Sequence, residues 1–185
     1  MILLEELRAK SGQGNFKREN TPDVYIRPSK EKELDVLWQN FKVNQKEEKY
    51  TQRLKDVADG KCIALVAEYK GNVAGYFNVY PNSMGGSFGG KGLPELVDFG
   101  VLMKYRNHGI GNTLMQVAEN IAKKYSDTVY LGVGLHRDYG SAQRMYIKRG
   151  FIPDGTGLWW QGKNLEPYAD MKNDDETAIY MSKKL

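Results

Sequence analysis

Apolar residues recur in this chain with two different periods, and the changes between them mark out the elements. Val24-Tyr-Ile-Arg reads as a short strand ended by Pro28. Leu34, Leu37, Trp38 and Phe41 then fall at helical spacing, so an amphipathic helix is expected after Ser29. A second helix is expected from about Lys46 to Ala58, closed by Gly60. Two strands follow, Cys62 to Tyr69 and Val73 to Tyr80, joined at the hairpin signal Lys70-Gly71-Asn72. Glu95 to Met103 has few polar interruptions, as a strand buried on both faces would. Ile110, Leu114, Val117, Ala118, Ile121, Ala122 and Tyr125 form one helical stripe. Thr128 to Leu135 is the next strand, and Ser141 to Arg149 a short helix stopped by Gly150. Phe151 onward and Thr177 to Ser182 supply closing strands, with Trp159 and Trp160 on the first of them.

Two stretches lack either period. Residues 1–22 read as a loosely attached lead-in with one short helical piece at most. Ser83 to Gly92 is too rich in glycine to pack a core, and reads either as a mobile loop or as a substrate lid. Antiparallel strands first and strand-helix-strand units afterwards predict an α/β protein with a central mixed sheet. The length of 185 residues, 41% of them hydrophobic, fits a single domain with a full core. Cys62 is the only cysteine, which rules out an internal disulfide and suits a reducing cytoplasm. Two histidines and no Cys/His cluster argue against a bound metal. No apolar run approaches the roughly 20 residues that span a bilayer, and the N-terminus turns acidic too soon for a secretory signal, so no membrane association is expected. The net charge of +4 suits either an anionic ligand or a generic charged surface; nothing resembles a nucleic-acid-binding arm.

The chemistry concentrates in Val101-Leu-Met-Lys-Tyr-Arg106-Asn-His-Gly109-Ile-Gly111, which sets two glycines where a strand feeds a helix. The first turn of a helix has N–H groups without internal acceptors, and its dipole adds positive charge there. A diphosphate benefits most from such an end. Lacking Cβ atoms, Gly109 and Gly111 let oxygens approach the backbone, and Arg106 can add a contact or brace the loop. A P-loop is excluded because no Lys-Ser or Lys-Thr pair follows the glycines, and the dinucleotide fingerprint because Leu114 stands where its third small residue belongs.

Arg-x-x-Gly-x-Gly after a hydrophobic strand resembles the acetyl-CoA motif of the GNAT acyltransferases. A second match lies downstream in Ser141-Ala-Gln-Arg-Met-Tyr146-Ile-Lys-Arg-Gly150-Phe151. The resemblance implies a single-domain acyl-CoA N-acyltransferase fold over residues 23–185: a mixed, mostly antiparallel sheet flanked by helices, with splayed central strands. It implies acetyl-CoA as acyl donor and an unidentified amine as acceptor. Arg106, Asn107, His108, Gly109, Ile110, Gly111 and Asn112 would hold the pyrophosphate, chiefly through backbone N–H groups. Phe99, Gly100, Val101, Leu102 and Met103 would lie on the strand whose backbone pairs with pantetheine, and Ser141 and Tyr146 would also meet the coenzyme. Where the family often has Asn, seven residues before the tyrosine, this chain has Tyr139.

Acyl transfer to an amine needs a base for the amine and an acid for the leaving thiolate. In the enzymes this chain resembles, the tyrosine matching Tyr146 points its hydroxyl at the coenzyme sulfur, and a phenol of pKa about 10 is protonated at neutral pH. A glutamate base found in one branch of the family, eleven residues before the motif's Gln or Arg, matches Glu95. Asp98 is its rival, on the opposite face unless a bulge intervenes; a water chain is the third option. Other branches place a glutamate on the following strand, where this chain has Gly132 and Gly134. For the acceptor, Asp170, Asp174, Asp175 and Glu176 read either as an attraction for a cationic amine or as solvated turn residues, and Trp159, Trp160 and Tyr168 either as pocket walls or as core. A coenzyme-binding module without catalysis is the alternative reading. Edge strands near the C-terminus suggest a homodimer.

Overall fold

The computed structural model describes residues 16–17, 23–29, 33 and 47–185. The helix expected around Leu34 to Phe41 and most of the lead-in lie outside the described residues. The chain divides into two compact units, Met1–Tyr80 with Asp98–Ile121, and Pro81–Val97 with Ala122–Leu185.

In the first unit, strands β1 (Phe16–Lys17), β2 (Val24–Pro28), β3 (Ile63–Tyr69) and β4 (Asn72–Tyr80) lie side by side in that order. Their registers are antiparallel throughout. β1 is a strand where only a lead-in was expected. The β3–β4 hairpin turns through Lys70 and Gly71 at φ 50° and 75°, two left-handed residues in succession, which matches the natural twist of a hairpin. Val24, Ile26, Leu65, Phe77 and Val79 are buried side chains of these strands. Helix α1 (Glu47–Ala58) presents Leu54 and Val57 to Ala64, Val66 and Tyr76, and ends at Gly60 with φ 73°.

Strand β5 (Glu95–Val101) contributes its second half, from Asp98, to this unit. It meets β4 closely: a Cβ on Gly75 would stand 2.6 Å from the Gly100 carbonyl oxygen, and the Leu102 N–H donates to Ala74 O at 2.9 Å. Helix α2 (Ile110–Ala122) buries Ile110, Leu114, Ala118 and Ile121 on one stripe. Tyr125, expected on that stripe, follows the helix end and is half exposed.

The second unit holds the first half of β5, then β6 (Thr128–Gly134), helix α3 (Gly140–Lys148), and strands β7 (Ile152–Pro153), β8 (Trp159–Trp160), β9 (Lys163–Asn164) and β10 (Thr177–Lys184). The order is β5-β6-β10-β8-β9, with β7 also on β10. β10 runs antiparallel to β6 along seven residue pairs, whereas β5 and β6 are parallel and pair through Glu95↔Tyr130 and Leu96↔Leu131. The sheet is thus mixed and mostly antiparallel. Of β5 only Leu96 is fully buried, which corrects the expectation of a strand covered on both faces. The ladder to β6 is two residues long, and Asp98, at φ 58°, interrupts the extended backbone just beyond it.

Candidate active site

After Val101 the chain leaves the strand, tightens into a 3-10 turn over Met103–Tyr105, and enters α2 at Ile110. Met103 therefore stands beyond β5 and is 78% exposed, not a strand residue as the sequence suggested. The Arg106 side chain folds back, its Nε donating to Val101 O at 3.2 Å, so it braces the turn. His108 Nδ1 lies 2.8 Å from Arg106 O, and its ring lies 4.7 Å from that of Tyr69. Asn107 and Gly109 take φ 65° and 77°, left-handed values that reverse the chain ahead of the helix. Gly109 O accepts the first helical bond, from Thr113 N at 3.1 Å. The N–H groups of Asn107, His108 and Gly109 donate to no protein acceptor among the described residues, and all three residues are exposed. With the unpaired first N–H groups of α2, this end is electropositive and open to an anion.

The three candidates for proton transfer have three different surroundings. Glu95 accepts a short hydrogen bond from Ser83 Oγ. Ser83 opens the glycine segment, which is folded: Gly90 N donates to Ser83 O at 3.0 Å, Gly89 N to Gly86 O at 3.1 Å, and the Tyr130 hydroxyl to Gly85 O at 2.7 Å. Gly86, at φ 68°, has the Tyr180 ring where a Cβ would be. Burial first, then the charge of Glu95, raises the phenols of Tyr130 and Tyr180, the latter to about 12.

Asp98 Oδ2 receives Arg53 Nε from α1 at 2.7 Å and Asn78 Nδ2 from β4 at 3.0 Å. Arg53 Nη1 in turn donates to the Tyr80 hydroxyl at 2.9 Å, and that hydroxyl to Asp56 Oδ2 at 2.8 Å. Burial opposes the guanidinium charge, but Asp98 and Tyr80 together outweigh it and Arg53 titrates above its ordinary value.

Tyr146 is 5% exposed on α3, its ring 5.9 Å from Phe151, and Phe151 N donates to Tyr146 O at 3.0 Å. Burial, and secondarily Tyr139, pushes its phenol well above the usual tyrosine range. Phe99 packs edge-on against Phe77 at 5.0 Å, while Gly100, Val101 and Leu102 are partly exposed and Ser141 and Asn112 are exposed.

Several partners at the site carry no mark in the sequence. Arg53 and Asn78 carried no signal beyond charge or polarity inside ordinary elements. Tyr139 stands out in the sequence only as a departure from the family pattern; its hydroxyl donates to Asp175 Oδ1 at 3.0 Å, an oxygen that also meets His136 Nε2 at 2.8 Å. Asp174 accepts from Glu176 N at 3.0 Å within a turn, and Tyr168, read as a pocket wall or as core, is fully exposed. One signal was available. Gly132 and Gly134 alternate on β6, and the rings of Tyr180 and Tyr139 occupy the space their side chains would take.

Residues 31–151 match the model of the acetyltransferase (GNAT) family. Solved structures share the fold. The ribosomal-protein-alanine N-acetyltransferase of Brucella melitensis superposes with a TM-score of 0.61 at 21% identity, covering 86% of this chain and 99% of that one. Naa50 of Arabidopsis thaliana, in complex with the bisubstrate analogue CoA-Ac-MVNAL, gives 0.60 at 21% identity over 88% and 99%. A family acetyltransferase of Elizabethkingia anophelis with acetyl-CoA bound gives 0.60 at 20% identity over 88% and 99%. No curated protein matches the sequence.

Proposed function

Because the chain belongs to the GNAT acetyltransferase family, we propose that it moves an acetyl group from acetyl-CoA to a primary amine of a small molecule or protein, by direct attack in a ternary complex. The observation that carries this reading is the exposed turn at the head of α2, where the N–H groups of Asn107, His108 and Gly109 have no protein acceptor among the described residues. A pyrophosphate supplies the missing acceptors and matches the helix dipole. Phe99 to Leu102 offers backbone to the pantetheine arm, and the Val101 N–H stabilises the oxyanion that forms when the amine adds to the thioester, the Leu102 N–H being given to Ala74 O.

In that step the N–C bond forms and the C–S bond breaks. The amine's proton passes toward Glu95, and the thiolate takes a proton from Tyr146. A buried phenol whose pKa is raised keeps that proton at neutral pH, as an acid must. Glu95 suits the base better than Asp98, because the charge of Asp98 is committed to Arg53. The relatives' acceptors suggest where to look first. One similar structure is a complex with the bisubstrate analogue CoA-Ac-MVNAL and another is a ribosomal-protein-alanine N-acetyltransferase, so protein N-termini head the panel.

The test is calorimetry with acetyl-CoA, then release of free coenzyme A against N-terminal peptides, lysine peptides, polyamines and aminoglycosides. Binding followed by thiol release with one amine class is expected. Binding without release from any acceptor marks a coenzyme-binding module, and no binding at all removes the reading.

A further inference from the structure

Asp98 is a non-glycine residue held at φ 58° in the middle of a strand. That conformation is disfavoured for a residue with a Cβ, and it persists only where the surroundings enforce it. Here they do. The side chain is nearly buried at 13% exposure, and one oxygen collects donors from two separate elements, Arg53 on α1 and Asn78 on β4. Arg53 is itself anchored through Tyr80 to Asp56, which also accepts Gln52 Nε2 at 2.8 Å.

Asn78 shows how far the local arrangement is subordinated to Asp98. Its residue exposure is 1%, and with Nδ2 turned to the carboxylate, its Oδ1 is buried without a partner among the described residues. Turning the amide over would set two oxygens against each other, so the carboxylate dictates the orientation and the orphaned oxygen is the cost.

A left-handed residue within a strand rotates the following peptide planes out of simple alternation. On one side, the residues after Asp98 are tight against β4 through the Gly75–Gly100 contact. The same stretch of backbone is the one assigned above to pantetheine.

We propose that Arg53 and Asn78 are positioning residues, which clamp Asp98 in its left-handed conformation and so align the Phe99–Leu102 backbone with the pantetheine arm of acetyl-CoA. This rests on the reading of β5 given under the proposed function. The clamp leaves the turn at Asn107–Gly109 alone, so it serves one part of the coenzyme and not the other.

That division makes the test. Arg53→Met is titrated by calorimetry with acetyl-CoA and with 3′-phospho-ADP, the coenzyme fragment that carries the pyrophosphate and lacks pantetheine. Acetyl-CoA affinity is expected to fall roughly tenfold while the fragment binds as to the unaltered chain. The fragment therefore also reports that the variant is folded. Adding Asp98→Gly to Arg53→Met is expected to restore most of the acetyl-CoA affinity, because glycine takes a positive φ without a clamp. Equal loss of both ligands, loss of neither, or failure of the glycine to restore affinity each overturns the inference. If the unaltered chain binds neither ligand, it is the coenzyme reading itself that fails.

Discussion

Tyr146 stands on the inward side of α3, 5% exposed, with its phenol driven upward by burial. A group so placed is protonated at any physiological pH, and it can act only by giving its proton away. Replacing Tyr146 with phenylalanine keeps the ring that packs on Phe151 and removes the transferable proton. Turnover should fall roughly 10²- to 10⁴-fold, the usual effect of a lost acid–base group, with acetyl-CoA affinity nearly unchanged. Steady-state rates beside calorimetric titration check this, and unaltered turnover would exclude the hydroxyl from the reaction. Glu95 and Asp98 show why residue type alone does not assign such roles. Both are carboxylates on one strand, three positions apart, yet one faces a serine hydroxyl near two phenols and the other neutralises a guanidinium.

At the scale of elements, what could be read from the sequence was whatever depends on neighbours along the chain. The 3.6-residue stripe located α2, the glycines at 60, 71 and 150 marked the ends of α1, the β3–β4 turn and α3, and all three take positive φ. Arg106 to Gly111 was legible for the same reason, since a strand running into a helix through glycine is a local pattern. What escaped depends on residues far apart in the chain. The Arg53–Asp98 pair spans 45 positions, and Tyr139–Asp175 spans 36, with no periodicity to join either pair. The short ladder between β5 and β6 was to be expected only through the family resemblance, because a run of apolar residues does not record how long its partner stays beside it. The local pattern at the α2 entrance supports a prediction of its own. Gly109 holds φ 77°, so Gly109→Ala places a Cβ where the left-handed backbone costs about 1–2 kcal/mol. Acetyl-CoA binding should weaken by roughly tenfold or more, and 3′-phospho-ADP should weaken with it, because both use this turn. Titration of the two ligands checks the expectation. A variant that binds both as before would separate the turn from the coenzyme, in contrast to Arg53→Met, which should separate the two ligands from each other.

Across the whole molecule, the titrating groups with clear shifts in both units point to one response to alkali. In the first unit, burial lifts the Cys62 thiol to about 12 and also raises the Tyr80 phenol. In the second, burial raises Tyr125, Tyr130, Tyr146 and Tyr180, the last to about 12. All six are acids that the folded chain keeps neutral longer than the unfolded chain does. The folded state therefore binds more protons above the ordinary pKa values, and stability falls as pH rises. Their contribution is complete below pH 9, the ordinary thiol value, and Cys62 begins to lose its share above it. The tyrosines join above pH 10, each steepening the decline as it ionises in the unfolded chain before the folded one. Urea midpoints followed by tryptophan fluorescence should thus be level from neutrality to about pH 9 and decline with growing steepness beyond. Cys62→Ala should delay the onset to about pH 10, where only the phenols remain to titrate. A midpoint that holds level through pH 11 would mean that these rings and this thiol meet solvent more freely than their packing in each unit allows.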